Sequence, residues 1–185
     1  MVDRSYRIAL AVVLATASSG AFAQYVQTTG SSLQFSGTYQ GDAFSGSFPG
    51  FRTTLDFDPA RPESGTLNVE ISIATATVGN EEMDPEMRGA GFFDAAQFPK
   101  ATYTAKNFRA INATTFQADG ILTLHGNSKP VTLTFTWTPG DQPVLQGTAK
   151  VKRLDFDIGG GEWADTKLLP DEITVKTKVV LKPGR

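Results

Sequence analysis

Apolar and polar residues alternate in short runs that recur about every ten residues along this chain, the period-two signature of half-buried β-strands. Leu33, Phe35, Gly37 and Tyr39 share one face of a first run, and Phe44, Gly46 and Phe48 share one face of a second after a turn near Gly41-Asp42. Phe51, Thr53, Leu55 and Phe57 carry the alternation past Pro49-Gly50. Leu67, Val69, Ile71 and Ile73 resume it beyond a Pro- and Gly-containing loop at 59–65. Further strands are predicted at 101–108, 115–124, 130–138, 144–153 and 172–181.

One segment breaks the rhythm. Asp84-Pro85-Glu86-Met87-Arg88 predicts a short helix, with Asp84 capping its free N–H groups, Pro85 at its first position and Gly89 ending it. The stretch that follows, from Gly91 to Pro99, is aromatic but irregular, so it is expected to cover one end of the sheet as a plug or lid. About eight strands, one helical interlude and no βαβ spacing predict an all-β, eight-stranded antiparallel barrel, with a β-sandwich as the alternative.

The first residues change the picture of where this domain works. Arg4 and Arg7 precede an apolar run from Ile8 to Ala17, and Ala21-Phe22-Ala23 puts small residues at −3 and −1 of a cleavage site. About ten apolar residues fall short of the roughly 20 that a spanning helix needs. Residues 1–23 therefore read as a signal peptide cleaved after Ala23, and 24–185 as the mature domain in the periplasm. Cleavage removes two of 17 basic and one of 19 acidic residues, leaving 162 residues with a net charge of −3. No basic tract remains that could follow a phosphate backbone, which argues against nucleic acid as a partner. The absence of cysteine excludes disulfides, thiolate metal sites and cysteine nucleophiles.

Candidate chemistry is thin. The lone histidine, His125, stands beside Gly126-Asn127 in a predicted hairpin turn, where a solvated role is far commoner than catalysis. No Gly-x-Ser-x-Gly elbow occurs. Asp56 with Asp58, Asp155 with Asp157, and Glu81 with Glu82 are the candidate acid pairs, but strand-end positions on a wet face explain them better, and none has the ligand spacing of an EF-hand loop. Gly159-Gly160-Gly161 lacks the lysine and helix of a phosphate loop. What stands out is aromatic mass, 13 Phe, 4 Tyr and 2 Trp. The inward sets interleave with small residues, as in Phe35-x-Gly37, Phe44-x-Gly46 and Gly147-x-Ala149, which leaves room for an apolar cavity; a filled core is the other outcome.

Phe92-Phe93-Asp94 with Phe98-Pro99, then Gly120-Ile121-Leu122-Thr123-Leu124-His125-Gly126 with Lys129-Pro130-Val131, and finally Arg153-Leu154-Asp155-Phe156 together resemble the YceI-like polyisoprenoid-binding family, in the right order across nearly the whole mature chain. The resemblance implies a lipocalin-like barrel with a short helix near one end, holding an isoprenoid chain such as a quinone tail or a polyprenyl phosphate, with no other cofactor and no catalysis. Asp157 stands where that family usually has glycine, which puts the local turn geometry in question. On alternation, Phe35, Phe44, Phe48, Phe51, Leu67, Tyr103, Leu122, Phe135 and Trp137 are expected to line the lumen, and Phe92, Phe93 and Phe98 to close one end. A one-residue slip would turn any of these sets outward. The expected partners are the lipid itself and a membrane redox or lipid-biosynthesis protein, with the domain a monomer or dimer. Two other readings stay open: an enzyme acting on such a lipid through Asp94, Glu162 or His125, and a stress-response barrel that binds a protein on its outer surface.

Overall fold

The structure is a computed structural model, and it describes residues 24–184. The signal peptide predicted at 1–23 lies outside the described residues. Eleven strands follow in chain order: β1 (Gln24–Gln27), β2 (Ser32–Tyr39), β3 (Asp42–Ser47), β4 (Phe51–Asp56), β5 (Thr66–Ser72), β6 (Lys100–Lys106), β7 (Arg109–Ala110), β8 (Thr115–Leu124), β9 (Asn127–Thr138), β10 (Val144–Lys152) and β11 (Glu172–Pro183). All pairings are antiparallel.

Their pairing closes a ring of eight staves. β1 and β2 lie end to end along one edge of β11, with Tyr25 opposite Pro183 and Phe35 opposite Val175. β3 and β4 lie end to end along their other side, with Phe35 opposite Gly46 and Tyr25 opposite Leu55. β6 and β7 likewise share β8. The β6–β7 stave covers the strand predicted at 101–108 and continues to Ala110, β3 and β4 correspond to two predicted runs, and β1 to none. The bend between β1 and β2 has a local cause: Gly30 takes φ +86, and the Ser31 hydroxyl stands in for a ladder group, accepting from Val180 N at 3.0 Å and donating to Thr28 O at 2.8 Å. The ring closes because β1 pairs with both β4 and β11, and that closure excludes the sandwich alternative; among the described residues the outer side of β3 carries only the Ser47–Thr77 bridge.

Loops gather at two ends. One end carries the β4–β5, β7–β8 and β9–β10 connections. The other, the lid end, carries the β2–β3 and β8–β9 turns, the long 73–99 crossing with its helix, and the segment 153–171. The helix α1 spans Met83–Arg88, starting earlier than expected: Asp84 does not cap it and Pro85 is not its first residue. Asn80 supplies the capping oxygen instead, accepting from Glu82 N at 2.9 Å and Met83 N at 3.1 Å, and Gly89 ends the helix. β10 stops at Lys152, one residue short of the predicted strand, because Arg153 begins a 3₁₀ turn.

Candidate functional site

The lumen is built from alternate residues of every stave, and the predicted register holds. Phe35, Phe48, Leu67, Tyr103, Leu122, Phe135 and Trp137 are buried, and Phe44 and Phe51 are half-buried against the same core. Away from the lid, Phe57 sits at the centre of an aromatic plug, with ring centroids 5.0 Å from Phe116, 5.1 Å from Trp137, 5.6 Å from Phe135 and 5.8 Å from Phe108. Such edge-to-face packing adds to the area buried by each ring. Phe57, Phe108 and Phe116 belong to the plug without having been singled out beforehand. The alternation past Asp56 already pointed Phe57 inward; Phe108 follows Asn107, whose φ of +57 interrupts the strand pattern.

Glycines in the wall do not leave the lumen open, contrary to the room inferred for them. A side chain on Gly46 would lie 2.2 Å from the Phe35 ring, one on Gly120 2.5 Å from the Tyr103 ring, and one on Gly147 2.8 Å from Leu133. Each glycine is a socket for a neighbour's side chain. Tyr103 also donates its hydroxyl hydrogen to the Ala118 or the Val131 carbonyl, at 2.9 and 3.0 Å, and burial pushes its phenol well above the ordinary tyrosine range.

The 73–99 segment covers the lid end. Phe93 is buried, with its ring 5.5 Å from Phe48 and 6.2 Å from Phe35. Phe92 packs on Trp163 of the 153–171 segment at 5.2 Å and Phe98 on the His125 ring of the β8–β9 turn at 4.5 Å, so of the three predicted end residues Phe93 enters the core and the other two pack on lid-end loops. The segment is anchored through Asp84. Its carboxylate accepts from the Thr77 hydroxyl at 2.5 Å and from Val78 N at 2.7 Å, and these hydrogen bonds hold its acid below the usual carboxylate range. Thr77 in turn bridges Ser47 on β3.

Arg153 organises the second lid-end segment. It is 4% exposed, and its guanidinium donates to the carbonyls of Ile158, Gly159, Trp163, Leu169 and Pro170 at 2.6–3.2 Å. Burial lowers its affinity for the proton, yet the planar fork of N–H groups is matched by backbone oxygens on every side. Asp157 closes the 3₁₀ turn at φ +56. This is the left-handed region that glycine occupies most easily and that Asp tolerates, and Asn127 Nδ2 steadies the Asp157 carboxylate at 3.0 Å.

The candidate catalytic groups are scattered. His125 stacks on Phe98, Asp94 turns the chain at φ +42, and Glu162 borders a hollow of about 210 Å³ walled by Tyr39 and Trp163; among the described residues no hydrogen bond links the three. Asp56 accepts from the Thr66 hydroxyl, and Asp58 pairs with Arg61. Among the described residues no group of three or more His, Asp or Glu side chains could hold a metal ion, and no helix is long and apolar enough to cross a membrane. A second hollow, of about 260 Å³, lies on the outer wall between Lys176 and Lys178.

Comparison with known proteins agrees with this geometry. The family model described as a YceI-like domain matches residues 25–181. A UPF0312 protein of Pseudomonas savastanoi is 28% identical over 164 residues, covering 83% of this chain and 85% of the relative. Protein YceI of Salmonella arizonae is 32% identical over 120 residues, covering 61% of this chain and 62% of the relative. Among solved structures, BcnA of Burkholderia cenocepacia superposes with a TM-score of 0.78 at 27% identity, covering 81% of this chain and 95% of that one. A polyisoprenoid-binding domain from Saccharophagus degradans superposes with a TM-score of 0.69 at 15% identity, covering 89% of this chain and all of that one, which shows the shared fold.

Proposed function

This chain belongs to the YceI-like domain family, and on that premise we propose that it is a periplasmic binding or carrier protein that holds a long-chain polyisoprenoid in its barrel lumen and catalyses no reaction. The observation that carries this reading is the lumen's construction. Its interior is apolar from end to end and filled by its own side chains, with aromatic rings packed around Phe57 at one end and a 27-residue crossing that contributes Phe93 roofing the other. The Saccharophagus degradans domain with the same fold is a polyisoprenoid-binding domain, which supports the ligand class.

Physical arithmetic favours a long chain. Each isoprene unit, about the size of a leucine side chain, gains roughly 1.5–3 kcal/mol on burial. Association costs about 4–15 kcal/mol, so one or two units do not suffice and several do. Entry requires the socketed side chains to swing aside. Phe35 and Tyr103, which rest over glycines, have the barest backbone beneath them, and Phe93 moves with the roof.

Native mass spectrometry with organic extraction, on protein purified from periplasm after expression with its own leader, tests this reading. A stoichiometric prenyl lipid is the expected result. Protein that stays empty when challenged with long-chain quinones and prenols overturns it.

A further inference from the structure

Two polar or charged side chains are buried among the described residues, Thr53 and Arg153. Arg153 has carbonyl partners around its whole guanidinium. Thr53 is the opposite case: it is 1% exposed, its hydroxyl has no hydrogen-bond partner, and it stands on the inward face of β4 between Phe51 and Leu55. A second orphan lies beside it. The β1–β4 ladder sets Tyr25 opposite Leu55 and Val26 opposite Thr54, so its next step brings Gln27 opposite Thr53. Gln27 spends its amide N–H on the Phe51 carbonyl at 3.1 Å, while its Oε1 is buried without a partner. Unsatisfied buried polar atoms are uncommon and each costs about 1–3 kcal/mol, yet two share one stretch of an otherwise apolar wall.

We propose that Gln27 and Thr53 form the head-group station of the lumen and select a cargo ending in a neutral hydroxyl. This rests on the carrier reading above and makes it more specific. Gln27 Oε1 accepts only, so its partner must donate; the Thr53 hydroxyl can donate to that same partner's oxygen. A hydroxyl completes both bonds at once. A quinone carbonyl satisfies Thr53 alone and leaves Gln27 Oε1 orphaned. A phosphate head is disfavoured for a different reason: Arg153, the one buried cation among the described residues, already serves five backbone carbonyls, so an anion at Thr53 would lie uncompensated in an apolar wall. The two biological sources of a prenyl hydroxyl, a polyprenol and a hydroquinone, share this chemistry.

Binding to wild-type protein and to Thr53→Val would be measured with a C45 prenol, its methyl ether, its monophosphate, a long-chain quinone, the matching quinol and squalene. Thr53→Val keeps the shape and removes the hydroxyl. The expected result is that the prenol or the quinol, whichever is the cargo, binds wild type about fivefold to tenfold more tightly than its ether or oxidised counterpart, with the monophosphate weakest. Thr53→Val should erase most of that preference, leave squalene unchanged and make the unliganded fold no less stable. Prenyl compounds that bind regardless of head group, a monophosphate that binds best, or a preference unmoved by Thr53→Val would overturn this inference while the carrier reading stands. Failure of every prenyl compound to bind would overturn both.

Discussion

The Phe35 ring occupies the space that a side chain on Gly46 would need: a Cβ there would stand 2.2 Å from Phe35 Cζ and 2.7 Å from Cε1, with the Thr77 carbonyl a further 2.7 Å neighbour. Gly46 is therefore selected by packing across the β2–β3 pair. Gly46→Ala is expected to cost about 1–3 kcal/mol in urea unfolding, because either the ring leaves its rotamer or β3 moves away from the lid. Gly160→Ala is the matched control. Its φ of −78 suits any residue and nothing lies within 4 Å of the added carbon, so stability should hold or rise by a few tenths of a kcal/mol.

Arg153→Lys tests the carbonyl cluster of the 153–171 segment. Lysine keeps the charge but offers three donors from one point in place of a planar five-donor fork, so at least two buried carbonyls lose their partner. A loss of about 2–4 kcal/mol is expected in chemical denaturation. Faster amide exchange should be concentrated in 158–169, the stretch whose carbonyls Arg153 gathers. A uniform change across the barrel would mean the cluster has no local organising role.

Much of the barrel was legible because inward-facing rings on most staves follow a strict period of two, and the residues named from that period are the ones that meet in the lumen. The failures have physical causes. Gln24–Gln27 is too short and too polar to announce a strand, and it forms one only because β11 and β4 flank it. Arg153 ends an alternating run and looks like a strand-terminal cation; its burial depends on carbonyls from a loop that comes later in the chain. The glycines misled for a related reason. Alternation gives the face a residue lies on, whereas whether the space beside it is empty depends on the rotamer of a ring across the ladder. Thr53 was placed inward by the same alternation, but nothing in sequence marks its hydroxyl as unpartnered.

Tyr103→Phe removes a buried donor and is expected to cost about 0.5–1.5 kcal/mol near neutral pH. The pH dependence has a definite sign. Burial raises the phenol in the folded state, so the protonated form is the one the fold favours. Tyr103's contribution is complete below the ordinary tyrosine value of about 10 and declines as the pH rises beyond it, when unfolding releases the proton. Urea midpoints of wild type and Tyr103→Phe should therefore converge in alkaline solution. Midpoints that stay parallel to the highest accessible pH would contradict the burial argument.

The roof of the lumen hangs on Asp84, and acid is expected to loosen it. The bonds from Thr77 Oγ1 and Val78 N favour the carboxylate, so its folded value lies below that of the unfolded chain. A depressed acid contributes fully above the unfolded value of about 3.9 and loses that contribution as the pH falls through the folded one. Hydrogen exchange of residues 76–79 and 84–88 should accelerate in that window, while the amides of the β8–β9 pair stay protected. Asp84→Asn should produce the faster exchange already at neutral pH: Thr77 Oγ1 and Val78 N use different carboxylate oxygens, and an amide offers one neutral oxygen and an NH2 group in their place, so one donor loses its acceptor and the other keeps a weaker one. Phe93 lies in the same segment and packs on Phe35 and Phe48, so the loosened roof should also admit a hydrophobic dye to the lid end. Exchange that is unchanged in Asp84→Asn would show that Phe93 packing holds the roof without help from the carboxylate.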